Sequence, residues 1–244
     1  MKIISIINQK GGTGKTTTAF NISSYLAMKN FKTLVIDLDP QANLSFCFGL
    51  ENIENTSYEL LTKNICMPLK INEHLDIIPS SIRLSKVEYE LVNVFSRETI
   101  LKDIISNLNY DFIIIDCPPS LGILSFNSLV ASNFILAPVQ CEPLSVEGLD
   151  ILISTLETIF QRMKKNISYL VVPTMIDIRN KISIDILNYL QNNYNTTNSY
   201  IRRNVKLSEL AVVKKNIFSY ASNSYGAKDY ENVAKEVIEL VSKK

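Results

Sequence analysis

The chain has 244 residues, of which 46% are hydrophobic and 20% are charged, as in an ordinary globular protein. It has no run of about 18 apolar residues that would cross a membrane, and its four cysteines lack the Cys-x-x-Cys spacing of a zinc or iron–sulfur site. The formal net charge is +1, but ten basic residues and only three acids lie between Arg162 and Lys215, so this stretch could face a polyanion.

Short, continuously apolar runs alternate with stretches of helical periodicity along the chain. Continuous hydrophobicity indicates strands that are buried on both faces, as in a parallel sheet between helices. The predicted strands are residues 3–7, 33–36, 75–78, 112–115, 134–139 and 169–172. The predicted helices are residues 16–28, 98–108, 121–132, 146–163, 182–194 and 229–241. The alternation predicts a doubly wound α/β fold, with a mainly parallel sheet flanked by helices and residues 1–244 forming a single domain.

A glycine-rich loop follows the first predicted strand. Residues 8–17 read NQKGGTGKTT, which matches the phosphate-loop template except that Gln9 occupies the first glycine position. A strand, a glycine turn and a helix that begins near Lys15 would bring backbone N–H groups and a helix N-terminus around one phosphate. We predict that Lys15 reaches the β- and γ-phosphates and that the Thr16 hydroxyl ligates Mg²⁺. The predicted nucleotide contacts in this loop are Lys10, Gly11, Gly12, Thr13, Gly14, Lys15, Thr16 and Thr17.

Two predicted strands end in acidic residues that belong at the same edge of the sheet as this loop. Asp116 follows the run 112–115, and we expect it to help hold the metal at the carboxyl end of its strand. Asp37 and Asp39 follow the run 33–36, and Asp39 lies further out, where it could orient an attacking water. A helix cap or a turn acid before Pro40 is the alternative interpretation of Asp39.

Lys10 is a second lysine in a loop where Lys15 already supplies the usual cation. Because Lys10 precedes the glycines, its side chain would point outward, away from the N-terminus of its own helix. It could reach the phosphates of a nucleotide held by a second, facing copy of the chain, which would make the nucleotide part of a symmetric dimer interface. A local role within its own protomer is the alternative.

Three stretches together resemble the ParA family of DNA-partitioning ATPases, in the deviant phosphate-loop class that also contains MinD. They are residues 10–17, KGGTGKTT, residues 37–41, DLDPQ, and residues 115–120, IDCPPS. The DLDPQ element favours ParA over MinD. Further similar landmarks extend to Gly226-Ala227, so the resemblance covers nearly the whole chain. The first strand begins at residue 2, which predicts a Soj-like member without an N-terminal helix-turn-helix domain.

The resemblance implies a plasmid- or chromosome-partitioning ATPase with ATP and Mg²⁺ as cofactors. It implies a homodimer in the ATP state, non-specific DNA as a partner, and a ParB-like centromere-binding protein that stimulates hydrolysis. The implied catalytic residues are Lys10, Lys15 and Asp39, the implied metal site is Thr16 with Asp116, and Arg203 and Asn204 are implied nucleotide contacts. We therefore expect a cytoplasmic, nucleoid-associated protein that does not bind membranes.

The segment 201–214 departs from the family pattern. The family often reads Ile-Pro-Arg-Asn-Val and then Ser-Glu-Ala-Pro-x-x-Gly, whereas this chain has Arg202 in the place of the proline and Lys214 in the place of the glycine. The resemblance places adenine contacts in this segment. The same changes enlarge the basic stretch, whose members could contact DNA phosphates or remain solvated surface charges. The predicted DNA contacts are Arg179, Arg202, Lys206, Lys214 and Lys215.

Other functions remain open on the same predicted fold. A MinD-like ATPase that positions itself or a cargo on a membrane would need a basic amphipathic helix, whereas the predicted helix 229–241 is acidic as much as basic. An enzyme that transfers phosphate to a small molecule would use Lys10 locally. A guanine-specific GTPase is disfavoured because residues 180–183, NKIS, have serine where the base-reading motif requires aspartate.

Overall fold

The computed structural model describes residues 1–165 and 167–242. Seven strands form one sheet in the order β3-β4-β2-β5-β1-β6-β7. Every neighbouring pair is parallel except β3 with β4, which is antiparallel. The strands are β1 (Lys2–Ile6), β2 (Thr33–Asp37), β3 (Leu69–Lys70), β4 (Leu75–Ile78), β5 (Phe112–Asp116), β6 (Phe134–Gln140) and β7 (Ser168–Thr174).

The connections between the strands contain helices of very different lengths. A 3₁₀-helix over Ile82–Lys86 accompanies the α-helices. The α-helices of the described residues are α1 (Lys15–Met28), α2 (Asn43–Cys47), α3 (Ser57–Lys63), α4 (Val87–Glu90), α5 (Ile100–Ile105), α6 (Ile123–Ala131), α7 (Pro143–Met163), α8 (Lys181–Asn193), α9 (Val205–Ser208), α10 (Leu210–Val213), α11 (Ile217–Tyr220) and α12 (Tyr225–Ser242).

The sheet is buried on both faces, which explains the continuous hydrophobicity of its strands. Alternate residues of β5 enter opposite cores: Ile113 and Ile115 pack with α3, α5, α6, α7 and α8, whereas Phe112 and Ile114 pack with α1 and α12. Helix α12 buries the apolar face that its spacing predicted, including Tyr230. The doubly wound, mainly parallel α/β fold is therefore confirmed.

The structure differs from the sequence-based prediction in its short elements. The helix predicted over 98–108 spans only Ile100–Ile105, and the two-residue strand β3 and several one- or two-turn helices were not predicted. Such elements are too short to show a period. Helix α3 did carry a local signal, because Thr56 and Glu59 form a capping box in which the Glu59 carboxylate accepts the Thr56 N–H at 3.1 Å.

The strand register brings the predicted acids to one edge of the sheet. Asp116 at the end of β5 pairs with Ile6 of β1 on one side and with Asp37 of β2 on the other. The loop that follows β1 therefore lies beside both acids, at the edge where doubly wound sheets bind their ligands. Among the described residues, no helix is both long enough and apolar enough to cross a membrane.

Candidate functional site

The loop between β1 and α1 ends in a glycine whose conformation other residues rarely adopt. Gly14 has φ 92° and ψ 21°, in the left-handed region, and it forms the N-cap of α1; Gly12 has φ 75°. No side chain caps the first turn of α1. The N–H groups of that turn, together with the positive end of the helix dipole, can therefore bind an anion.

Neighbouring strands hold the loop in shape. Thr174 at the end of β7 donates its hydroxyl to the Thr13 carbonyl at 2.9 Å, and the Gln140 amide at the end of β6 donates to the Gly12 carbonyl at 3.0 Å. Thr13 is buried, whereas Gly11 and Gly12 are exposed. The loop is thus tied to the sheet from the side, and its cradle is preorganised.

Two adjoining cavities begin at this loop. The first, of about 520 Å³, lies between the phosphate loop, Asp39, α2 and α10, and the second, of about 380 Å³, continues from it toward the segment 201–205. Volumes of this size suit a small-molecule ligand. Both cavities share Gly14, Thr17, Met175, Leu207 and Ser208. Of the predicted contacts, the first cavity is lined by Gly11, Gly12, Gly14, Lys15, Thr16, Thr17 and Asp39.

Asp116 carries a buried carboxylate whose two oxygens have no hydrogen-bond partner among the described residues. Burial raises the pKa of Asp116 well above its usual range, the nearby Asp37 raises it further, and the Thr16 side chain opposes this. The Lys15 ammonium offsets the charge of this buried carboxylate only in part, and a divalent cation would offset it further. The described residues contain no cluster of three or more acidic, histidine or cysteine side chains that could hold a metal. The buried carboxylate of Asp116 and the nearby Thr16 hydroxyl fit Mg²⁺, which retains waters and takes few protein ligands.

Lys15 lies inside the site and is 7% exposed. Its ammonium donates to the Lys10 carbonyl at 3.1 Å. Burial lowers the pKa of Lys15, while the charges of Asp116 and Asp39 oppose the shift. A desolvated cation at the helix N-terminus would attract the phosphate charge strongly.

Asp37 supports the loop that carries Asp39. The fully buried Asp37 carboxylate accepts the Ser45 hydroxyl at 2.7 Å, the Ser45 N–H at 2.9 Å and the Asp39 N–H at 3.1 Å. Burial raises the pKa of Asp37 to about 6. This role of Asp37 was not predicted from the sequence, although the position of an acid at the end of a wholly buried strand indicated that its carboxylate would accept hydrogen bonds.

Asp39 lines the first cavity and is 8% exposed. Its Oδ1 accepts the Gln41 N–H at 2.9 Å, which is the bond of a turn acid. The turn interpretation therefore accounts for one of the two carboxylate oxygens of Asp39. The position on the cavity wall also suits the orientation of a water, which stays a prediction.

Lys10 is bound within its own protomer. Its ammonium donates to the Ser145 hydroxyl at 3.1 Å and lies 3.9 Å from the Glu142 carboxylate, and its side chain is 37% exposed. The other oxygen of Glu142 lies 3.4 Å from the Arg203 guanidinium. Neither Glu142 nor Ser145 was assigned a role from the sequence. The isolated chain thus displays the local contacts of Lys10, and a contact across a dimer stays a prediction.

Arg203 and Asn204 line the second cavity, close to Gly14 and Thr17 of the phosphate loop. Asn204 also caps α9, because its Oδ1 accepts the Lys206 N–H at 2.8 Å. The predicted nucleotide contacts of the two chain regions therefore converge on one continuous space.

The five predicted DNA contacts are exposed to different degrees, and four of them have acidic partners. Lys215 is exposed and makes no ion pair with another described residue. Arg202 binds Asp229 through two nitrogens and is only 25% exposed. The remaining pairs are Arg179 with Asp177 at 3.1 Å, Lys206 with Glu209 at 3.0 Å and Lys214 with Glu51 at 2.7 Å.

Replacing Asp116 with asparagine is expected to stabilise the nucleotide-free protein by about 1–3 kcal/mol, because it removes a buried carboxylate that has no hydrogen-bond partner among the described residues and whose charge Lys15 offsets only in part. The pKa of Asp116 is higher in the folded protein than in the unfolded chain. The folded protein therefore loses stability as the pH rises from the unfolded-state pKa of this group to its folded-state pKa. The gain in melting temperature should therefore be larger at about pH 8 than at about pH 5. Thermal melts with Mg²⁺ and ADP provide the second readout: the metal should stabilise the wild type and not the variant. Equal stabilisation of both by the metal would exclude Asp116 from the metal site.

Comparison with known proteins places this site in a family. Residues 1–169 match the family model described as an AAA domain. The chain is 39% identical to the sporulation initiation inhibitor protein Soj of Bacillus subtilis (strain 168), with 97% of this chain and 98% of the relative covered. It is also 39% identical to the chromosome-partitioning ATPase Soj of Treponema pallidum (strain Nichols), with 97% of each covered.

Solved structures with the same fold carry nucleotides. A cobyrinic acid a,c-diamide synthase of Mycobacterium smegmatis, with bound ATP analogue and magnesium, is 28% identical at a TM-score of 0.84, over 98% of this chain and 94% of the other. A candidate plasmid partition protein of Borrelia burgdorferi B31, bound to AMPPNP, is 25% identical at a TM-score of 0.84, over 98% of both chains. The fold alone therefore does not separate partitioning from amide synthesis, but the sequence relatives do. With its phosphate loop, its family-model match and two Soj relatives that align over nearly their whole length, the chain belongs to the Soj/ParA family of chromosome-partitioning ATPases.

Proposed function

We propose that this ATPase acts as a dimerising switch: ATP and Mg²⁺ bind at the β1–α1 loop, the ATP form is a homodimer, and the dimer binds DNA without sequence preference. The observation that carries the proposal is the different placement of two lysines in one loop. Lys15 lines the first cavity, whereas Lys10 does not line it and is 37% exposed on the side chain. One lysine therefore serves the nucleotide of its own chain, and the other is available to a facing copy.

Different residues of the site have different roles in ATP hydrolysis. Lys15 and the N–H groups at the start of α1 bind and orient the phosphates, and Asp39 orients the attacking water. The water oxygen forms a bond to the γ-phosphorus, the bond from that phosphorus to the β–γ bridging oxygen breaks, one proton of the water stays on the inorganic phosphate and the other is released to solvent, and ADP and phosphate leave. Thr16 and Asp116 would hold Mg²⁺, which neutralises charge that develops on the phosphates.

Dimer formation requires Lys10 to change partners. In one protomer the ammonium is held by Ser145 and Glu142, and an exposed contact of this kind is weak, about 0–1 kcal/mol. A triphosphate presented by the facing copy carries several negative charges and would compete effectively for the ammonium. Lys10 thus couples the presence of the γ-phosphate to association of the two chains.

DNA binding through the basic stretch gives a prediction with a quantitative salt dependence. Replacing Arg179 and Lys215 together with glutamine is expected to weaken ATP-dependent binding to a duplex of arbitrary sequence. It should also reduce the slope of log affinity against log salt by about 1.8, since each phosphate contact contributes about 0.9. Fluorescence anisotropy over a range of salt concentrations measures both quantities, and ADP affinity should remain that of the wild type.

The matched control replaces Lys70 and Lys102, two exposed lysines outside the basic stretch, with glutamine. This control makes the same change in net charge and should leave the salt slope unchanged. Equal losses in the two double variants would show a general charge effect, and an unchanged slope in the Arg179 and Lys215 variant would reject these residues as DNA contacts.

The remaining parts of the proposal follow from the family. A ParB-like centromere-binding protein would stimulate hydrolysis, the protein would be cytoplasmic and associated with the nucleoid, and residues 1–244 would act as one domain built on the single sheet. A small-molecule enzyme is the second candidate, favoured by the similarity to the diamide synthase and by the local contacts of Lys10. ATP turnover that DNA does not affect, in a protein that stays monomeric, would favour that candidate.

A further inference from the structure

The segment 201–203 is attached to the end of β7 by a short backbone ladder. Ile201 donates its N–H to the Pro173 carbonyl at 2.9 Å, Ile176 donates to the Ile201 carbonyl at 3.1 Å, and Arg203 donates to the Ile176 carbonyl at 2.9 Å. The N–H of Arg202 takes no part in this ladder. It donates instead to the Asp229 carboxylate of α12 at 3.0 Å. The segment therefore has one support on the sheet and another on α12.

The second support is a partly buried ion pair. The Arg202 Nε lies 3.0 Å and 3.2 Å from the two carboxylate oxygens of Asp229, and Nη2 donates to the same carboxylate. The Asp229 side chain is 6% exposed, and the Arg202 guanidinium also lies 4.1 Å from the centre of the Tyr225 ring. A bidentate pair stacked on an aromatic ring fixes orientation more strongly than an exposed surface pair does.

The segment that this pair holds forms a wall of the second cavity. Ile201, Arg202, Arg203 and Asn204 line that cavity together with Gly14 and Thr17 of the phosphate loop, while the guanidinium of Arg202 is bound to Asp229. Because the phosphates belong at the start of α1, the nucleoside half of a nucleotide would extend into the second cavity. The wall at 201–204 would then contact the sugar and the base.

The floor of the same cavity is linked to the pair through α12. Tyr230, which follows Asp229 directly, lines the cavity, and its hydroxyl lies 3.2 Å from the Thr18 hydroxyl of α1. Helix α12 therefore positions one cavity residue itself and, through Asp229 and Arg202, positions the segment 201–204.

We propose that Arg202 and Asp229 are positioning residues that hold the nucleoside-binding wall at 201–204, and that Arg202 serves this purpose rather than DNA binding. The proposal rests on the nucleotide site described under the proposed function. Position 202 is where the family pattern has proline, whose ring limits the backbone by itself. Because the Arg202 N–H takes no part in the ladder, a proline at position 202 would keep every hydrogen bond between the segment and β7. In this chain, which lacks the proline, the ion pair between Arg202 and Asp229 of α12 restrains the segment instead.

A double-mutant cycle tests the proposal with two ligands that differ only in the nucleoside half. The variants are Arg202→Ala, Asp229→Ala and the double variant, and calorimetry measures ADP and inorganic tripolyphosphate with each. Each single variant should bind ADP about tenfold more weakly, because the wall must be ordered on binding. The double variant should lose no more than a single one, because both residues act as one unit. The affinity of each variant for tripolyphosphate should equal that of the wild type. Unchanged tripolyphosphate binding would also show that the phosphate loop of the variant is intact.

Conservative variants and DNA binding complete the experiment. Arg202→Lys and Asp229→Asn should fall between the wild type and the alanine variants in ADP affinity, and DNA affinity of Arg202→Ala at saturating ATP should equal that of the wild type. Equal loss of ADP and tripolyphosphate binding, independent losses that multiply in the double variant, or weaker DNA binding with unchanged ADP affinity would each overturn the proposal. A wild-type protein that binds both ligands but no DNA would contradict the proposed function and leave this result standing.

Discussion

Replacing Asp39 with alanine is expected to lower ATP hydrolysis about 10²–10³-fold and to make an ATP-bound dimer accumulate. The reason is that Asp39 belongs to the loop after β2, whereas the groups predicted to bind phosphate and metal belong to the β1–α1 loop and to the end of β5, although Lys15 and Thr16 line the same cavity as Asp39. Nucleotide binding and association of the chains should therefore survive the change. Phosphate release and molecular mass, each measured with ATP and Mg²⁺, check the two halves of this prediction.

Asp39→Asn separates the catalytic interpretation from the turn interpretation. The asparagine side chain can still accept the Gln41 N–H, which the Asp39 Oδ1 accepts at 2.9 Å, but it carries no negative charge. If the carboxylate orients the attacking water, the asparagine variant should be as slow as the alanine variant. An asparagine variant that hydrolyses ATP at the wild-type rate would assign Asp39 to the turn alone.

Replacing Lys10 with alanine is expected to leave the protein monomeric in ATP and Mg²⁺ and to lower its hydrolysis about 10²-fold or more. ADP affinity should change little, because Lys15 and the first turn of α1 remain in place. The physical reason is that, in the proposed dimer, Lys10 brings a positive charge from one chain to the triphosphate of the other. Sizing and ADP calorimetry on the same preparation measure both effects.

Ser145→Ala is the matched control for Lys10. It removes the 3.1 Å hydrogen bond that holds the Lys10 ammonium in its own protomer and leaves the lysine itself unchanged. If Lys10 acts across a dimer, this variant should dimerise at least as well as the wild type. A Ser145→Ala protein that fails to dimerise, as Lys10→Ala is expected to, would support the local role instead.

The parts of the site that the sequence predicted are those built from consecutive residues and strand ends. The phosphate loop needs only a strand, glycines and a helix start within residues 2–16, and Asp116 and Asp37 were predicted at one edge because parallel strands end on the same side. Patterns of this kind are local, so periodicity and motif reasoning suffice for them.

The parts that the sequence did not show depend on partners far along the chain. Arg202 pairs with Asp229 in α12, and Lys214 pairs with Glu51, which follows α2. The basic stretch looked like one charged surface because only its own members were counted. Asp177 and Glu209 pair with basic neighbours within the stretch, but tertiary packing supplied Asp229 and Glu51, and a one-dimensional pattern carries no signal for such distant pairs.

The role of Lys10 in joining two chains is tested by comparing the molecular mass of Asp39→Ala with that of the double variant Asp39→Ala and Lys10→Ala, each in ATP and Mg²⁺. The chain mass is 27.6 kDa, so monomer and dimer are readily separated. Hydrolysis is slowed in both proteins, and the comparison therefore reports only what Lys10 contributes to association. If Lys10 joins the two chains, the single variant should be a dimer and the double variant a monomer that still binds ATP. A stable dimer in the double variant would contradict the claim that Lys10 joins the two chains through the nucleotide.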